Sequence, residues 1–324
     1  MLKNLLKSVG KKLMGDNHFL KRAVSRKYQN GHYLKAFFLE LYLLPIRNIL
    51  QGPHDCVKQY NFANSEAYYR EIHQLMHIAQ IQDIEMLLIG SQTGGGYVMI
   101  DDLPGGIAYS FGIGGDVSWD KDMAGRGYDV FMYDHTIDRL PENNPRFHWS
   151  KLGISDGSAK DNSLKTLEEL ISRNGHEEQR NMILKMDVEG AEWGFLEATD
   201  SELLDKFDQI AFELHWMNDA QYYHRIPRAI RKLNETHQLV HIHPVNCGYY
   251  ISKGGHTFCN QIEVCYARRG KYSFSMDYDV NLPLIIDRQN WPGVPIPDVK
   301  LGKWNQDMGR GDDDITSMSI VLHL

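Results

Sequence analysis

Between residues 106 and 267, seven short apolar runs alternate with stretches of helical period, and that alternation constrains the chain more than any other feature. The runs are GIAYSF (106–111), DVFMYD (129–134), FHWSKLGI (147–154), MILKMD (182–187), QIAFELHW (209–216), LVHIHP (239–244) and IEVCYA (262–267). Strands alternating with helices build parallel βαβ units, so the expected fold is α/β: one doubly wound, mostly parallel seven-stranded sheet with helices on both faces. Between the third and fourth runs, Thr166 and Glu169 form a capping box and Asn174 with Gly175 closes the helix. A further helix is predicted from about Ala220 to Asn234. The last two runs are separated by a glycine-rich stretch (Gly248, Gly254, Gly255) without helical period, which predicts an antiparallel pair at the end of the sheet.

Outside this region the pattern changes. Leu2, Leu5, Leu6, Val9 and Leu13 recur at helical spacing with Lys3, Lys7, Lys11 and Lys12 mostly off the stripe, predicting a basic amphipathic helix. Such a helix can lie on a membrane surface, dock on the protein's own body, or fray in solution. The stretch around Gly52 and Pro53 reads as a linker, and residues 64–80 as a helix opened by Asn64 or Ser65. After Arg269 comes a tail with proline and tryptophan and no clear period. Three segments are expected: a helical N-terminal extension (1–84), the α/β domain (85–270) and a tail (271–324) that folds over the cleft.

Charge and composition exclude several classes. The chain has 324 residues, 42% of them hydrophobic, which is a folded protein's profile. Its net charge of −7 is uneven, because residues 1–35 hold nine basic side chains against Asp16 alone, +8, leaving −15 for the rest. An acidic body argues against nucleic acid as a partner, while residues 1–24 remain a candidate for peripheral membrane contact. The best apolar run, Ala36 to Ile46, is interrupted by Glu40 and Pro45 and spans no bilayer. The start lacks a signal peptide's apolar core, and Cys56, Cys247, Cys259 and Cys265 form no CxxC pair, so a cytoplasmic, reducing setting is expected.

The chemistry concentrates at strand ends. The first run ends in Ser110-Phe111-Gly112-Ile113-Gly114-Gly115-Asp116, where glycines let a backbone approach a ligand and the following helix start favours an anion. By itself this is a weak signal, which an ordinary glycine turn also produces. A dinucleotide fingerprint wants a third glycine where this chain has Val117. Asp134 ends the second run, 22 residues after Gly112, where a carboxylate can accept bonds from both ribose hydroxyls of an adenosine. That pairing is shared by nicotinamide enzymes and S-adenosylmethionine enzymes.

The fourth run separates the two. Lys185-Met186-Asp187-Val188-Glu189-Gly190-Ala191-Glu192 sets three carboxylates where the strand opens into the cleft, and here the chain resembles the FkbM family of S-adenosylmethionine-dependent methyltransferases, which carry a similar K-x-D-x-E-G-x-E segment. The GGGY of Gly94 to Tyr97, the YSFGIGGD of Tyr109 to Asp116, Asp134 and the LGIS of Leu152 to Ser155 agree in order. The tail segment from Leu282 to Asp298 resembles the branch that writes the turn as YSFG. The resemblance implies a Rossmann-like class I methyltransferase, with S-adenosylmethionine held at Phe111, Gly112, Gly114, Asp116, Asp134, Ile154 and Asp187. Two positions depart: Ser110 stands where many class I methyltransferases have an acid, and Asp116 where they have a third glycine.

Methyl transfer from a sulfonium needs an aligned acceptor and removal of its proton. Asp187, Glu189, Glu213 and His215 are the candidates, with His215 the natural base by intrinsic pKa, and Asp187, His215 and Glu189 the expected catalytic set. Glu192 either orients the acceptor or complements a helix start. No residue is assigned as a metal ligand, although Asp187 and Glu213 could hold a divalent cation such as Mg²⁺. His241, His243, His256 and Cys259 show no zinc spacing. Trp216, Tyr222, Tyr223 and Trp291 either line a sugar cleft or pack. The expected acceptor is the hydroxyl of a carbohydrate or small molecule. The rivals are a nicotinamide-dependent oxidoreductase using the same adenosine pocket and a non-catalytic scaffold recruited to membrane.

Overall fold

The structure is a computed structural model that describes residues 65–91, 95–245, 250–287 and 300–308. The expected amphipathic start, the linker at Gly52 and Pro53, Gly94, Cys56, Cys247, Gly248 and Trp291 lie outside the described residues. The seven sheet strands are β1 (Gly106–Phe111), β2 (Tyr128–Tyr133), β3 (Phe147–Ser150), β4 (Met182–Met186), β5 (Phe207–Leu214), β6 (His237–Pro244) and β7 (Ile262–Arg268). They lie in the order β3-β2-β1-β4-β5-β7-β6. β1 to β5 pair in parallel, and β7 enters between β5 and β6 antiparallel to both. The predicted antiparallel pair therefore ends the sheet, with β6 at the edge. The third run stops early because Leu152 N–H turns back to the Ser150 carbonyl, and Gly153–Ile154 resumes as a short strand paired with Leu164–Lys165.

The described helices of seven residues or more are α1 (Ser65–Leu75), α2 (Ser118–Gly125), α3 (Leu167–Asn174), α4 (Glu192–Ala198) and α5 (Ile226–Thr236). α3 carries the capping box, with Thr166 N–H donating to Glu169 and Glu169 N–H to Thr166 Oγ1, and it ends at Gly175 with φ 73°. The segment predicted as one helix from Ala220 is a single 3₁₀ turn, Ala220–Tyr222, followed by α5, because Pro227 in the first turn of α5 has no N–H to continue a helix through it. The helix expected over 64–80 stops at Leu75, after which Ala79 N–H pairs with the Leu239 carbonyl.

Strand residues alternate between two buried faces. One face carries Ala108, Ser110, Met132, Lys185 and Ala211 under α2 and under a hairpin of Met86–Ile89 with Tyr97–Ile100. Gln209 staples that hairpin to the sheet, accepting from Ile100 N–H at 2.8 Å and donating to its carbonyl at 3.0 Å. The other face carries Tyr109, Phe111, Phe131 and Tyr133, stacked ring on ring and tied to α3 by Asn174, which donates to both tyrosine hydroxyls. The strand order reverses between β1 and β4. In open α/β sheets, the crevice outside the carboxyl ends of such a pair is where ligands bind.

Candidate functional site

The crevice between β1 and β4 is built on one glycine. Gly112 has φ 76°, and a Cβ there would overlap the Asp187 carbonyl and come within 2.7 Å of its carbon. Only glycine lets the β1 turn pass this close to the end of β4. The approach is pinned by Asp187 N–H to the Phe111 carbonyl and Lys185 Nζ to the Gly112 carbonyl at 2.6 Å, while Gly112 N–H ties the turn to β2 at the Tyr133 carbonyl. Beyond it, Gly114 and Gly115 are exposed, and a Cβ at either would meet open space. Asp116 turns back to accept from Ser118 N–H at 2.7 Å and lies against Gly95 of the loop before the hairpin's second strand.

Asp134 sits beneath this turn and holds it. Its two oxygens accept from Ile113 N–H, Gly114 N–H, Thr136 N–H and the Thr136 hydroxyl, at 2.7 to 3.0 Å. Burial opposes ionisation, but those bonds hold the carboxyl below its ordinary value. A carboxylate offers about four acceptor positions, and all are taken from within the chain. The acid read as a ribose acceptor thus braces the glycine turn in this arrangement. Ile154 is buried beside Gly153, whose missing side chain makes room for the ring of His135, next to Asp134.

Four carboxylates and one imidazole meet at the ends of β4 and β5. His215 is 1% exposed, and its Nδ1 lies 3.0 Å from Glu192 Oε1. Its Nε2 faces Glu213 at 3.5 Å, Glu189 at 3.6 Å and Asp187 at 3.8 Å. Glu192 is fully buried, accepts from Val188 N–H through the same oxygen, and leaves Oε2 without a partner. Burial alone would lower the His215 pKa, but the Glu192 hydrogen bond and the charges of Glu192, Glu213 and Asp187 push it up to about 10. Glu213 rises well above the carboxylate range, first through burial and then through the charge of Asp187.

The backbone around the cluster is bent to make room for it. Glu189 and Trp216 have φ 56° and 61°, in the left-handed region that non-glycine residues adopt at a cost of about 1–3 kcal/mol each. Trp216 Nε1 donates to the Glu189 carbonyl, joining the two strained tips, and its indole occupies the space left by Gly190. Tyr222 reaches the same place with its hydroxyl. Trp193 donates to the His215 carbonyl at 2.9 Å and fixes that residue from below.

The expected catalytic residues Asp187, His215 and Glu189 are therefore brought together, and the turn residues Phe111, Gly112, Gly114 and Asp116 adjoin them. The raised pKa of His215 favours a protonated imidazole that balances the surrounding carboxylates. Trp216 and Tyr222 line the mouth, whereas Tyr223 stacks on Tyr68 and reaches Tyr69, which makes it a packing residue. His241 and His243 pair with Asp287 and Glu263 at 2.8 Å each. Sequence reasoning assigns no role to Tyr97 or Lys185 beyond their place in the motifs. Tyr97 is buried in the hairpin above the acids, and its hydroxyl pKa is raised by burial and then by Asp187, Glu213 and Glu263. The apolar run YVMI after GGG carried the signal for that hairpin.

Residues 110–248 match the family model described as Methyltransferase FkbM domain, a stretch that holds the glycine turn, Asp134 and the whole acid cluster. No curated protein matches the chain.

Proposed function

We propose, from the premise that this chain is an FkbM-family methyltransferase, that it methylates a hydroxyl oxygen of a carbohydrate or related small molecule with S-adenosylmethionine as donor. The observation that supports this most is the carboxylate cluster beside the open glycine turn at the sheet's reversal point. When bound, S-adenosylmethionine supplies an electrophilic methyl group on a positively charged sulfur. The residues suit such a group: the space above Gly114 and Gly115 admits close backbone approach, and Asp187, Glu189 and Glu213 offer negative charge facing it.

The rest is the chain's own chemistry. Asp187, 31% exposed and anchored through its N–H to β1, takes the acceptor's proton. While no cation occupies the cluster, a charged His215 offsets the charge of Glu213 and Glu189 beside the incoming oxygen. Trp216 and Tyr222 give the mouth two aromatic walls, a surface that sugar rings pack against. The nicotinamide reading is weakened by Val117, which fills the third-glycine position and is buried in the core with Trp119.

Calorimetric titration with S-adenosylhomocysteine and with NADH tests the donor. Binding of the first alone, followed by transfer of radiolabelled methyl to sugars or small alcohols, is the expected result. NADH binding in its place would replace this reading with an oxidoreductase.

A further inference from the structure

We infer that Asp187, Glu213 and His215 form a site for one divalent metal cation, whose remaining positions take the acceptor hydroxyl. The second half of this statement rests on the methyl-transfer reading; the site itself does not. One ligand atom from each of the three residues lies within 4.8 Å of the others. Ligands opposite one another around a Mn²⁺- or Mg²⁺-sized ion stand about 4.2–4.4 Å apart at bond lengths near 2.1–2.2 Å, so small side-chain rotations close the shell.

The histidine is the independent observation. His215 is almost wholly buried, yet its Nε2 makes no hydrogen bond and points among carboxylate oxygens at 3.5–3.8 Å. Those separations are too long for hydrogen bonding and match ligands that share an ion. Its other nitrogen is locked by Glu192, a fully buried carboxylate whose second oxygen has no partner. A carboxylate that fixes the far nitrogen of an imidazole is the usual outer support of a metal-bound histidine. Charge points the same way. Asp187, Glu189, Glu192 and Glu213 face a single imidazole, and Lys185, on the neighbouring β4, has its ammonium committed to the Gly112 carbonyl. A cation entering the site displaces the His215 proton; two carboxylates and one neutral imidazole then suit a hard to borderline cation, Mg²⁺ or Mn²⁺, and an ion there lowers the pKa of a coordinated hydroxyl.

Manganese is the probe. Mn²⁺ added to the full chain is followed by the loss of its free electron-spin resonance signal, with thermal unfolding measured in parallel. The site predicts one ion per chain, loss of uptake in both Asp187→Asn and Glu213→Gln, a roughly 10- to 100-fold weaker affinity in Glu192→Gln, and no change in Glu202→Gln, an exposed acid outside the cluster. Without metal, Glu213→Gln should melt above the native chain because a repelled buried carboxylate is gone; with Mn²⁺ the native chain should gain stability and the variant should not. No uptake, or uptake that survives both ligand substitutions, overturns the inference. S-adenosylhomocysteine binding measured without metal keeps the two readings apart: its absence refutes the donor, whereas absent Mn²⁺ uptake refutes the cation.

Discussion

Replacing Gly112 with alanine should damage this protein far more than the same change two residues on. At Gly112 the new methyl would overlap the Asp187 carbonyl, a backbone atom that cannot swing away, while at Gly114 it would enter open space. Both glycines have positive φ, 76° and 54°, so both variants bear the left-handed penalty of about 1–2 kcal/mol. Gly112→Ala must in addition part β1 from β4. That breaks Asp187 N–H to Phe111, about 1 kcal/mol, and strands the buried Lys185 ammonium, about 1.5–3 kcal/mol. With the left-handed penalty the sum is roughly 3.5–6 kcal/mol, against a total stability of about 5–15 kcal/mol for a folded domain. Urea denaturation of the two variants beside the native chain measures the difference. Equal losses would refute the close approach of β1 and β4 as the reason for glycine at 112. Gly114→Ala, still folded, should then bind S-adenosylhomocysteine less tightly.

Asp134→Ala frees the N–H groups of Ile113, Gly114 and Thr136 together, and should cost about 2–3 kcal/mol in denaturation while weakening donor binding through the loosened turn. His237 is buried between the Phe207 carbonyl and the Thr236 hydroxyl, and burial lowers its pKa from 6.5 to about 4. The unfolded chain binds a proton there that the folded chain refuses, so its stabilising effect is complete above pH 6.5 and declines as pH falls toward 4. The loss is about 3 kcal/mol, and His237→Gln should flatten that part of the stability curve. Trp216→Ala should raise KM for the acceptor while leaving S-adenosylhomocysteine affinity within about twofold, since the indole walls the mouth and not the turn. Deleting residues 1–24 should release the protein from anionic vesicles; unchanged binding would exclude that segment as the contact.

Strand positions were legible because each core run is bounded by turn residues and has no competing helical period, and β1 begins and ends where its run does. The helix over 220–234 was not, because Pro227 reads equally as a helix start and as a break, and it falls in the first turn of α5. At the site, local spacing placed Asp187 and Glu189 at the end of β4 but could not say what surrounds His215. Its pKa depends on Glu192, 23 residues away and brought to its Nδ1 only by the turn into α4. Asp134 shows the same limit: a carboxylate at a strand end looks free to meet a ligand until the backbone N–H groups that claim it are known.

Ser110 is the clearest case of a departure that the fold answers elsewhere. The strand position that carries an acid in many relatives of this fold holds a serine here, cross-strand from Lys185. The carboxylate comes instead from α2: Asp120 is 2% exposed and lies beside both Ser110 and Lys185. Burial lifts the Asp120 carboxyl above its ordinary value, against the pull of the Lys185 ammonium and the Ser110 hydroxyl. Lys185 thereby has an acid on one side and the Gly112 carbonyl on the other. Moving the acid from strand to helix keeps a carboxyl group under the turn while coupling α2 to the β1–β4 approach. Asp120→Asn should leave the fold standing, because the amide is isosteric, but weaken the hold of Lys185 on Gly112. Donor affinity should then fall with little change in stability. A variant that binds S-adenosylhomocysteine as the native chain does would show that Asp120 only fills space.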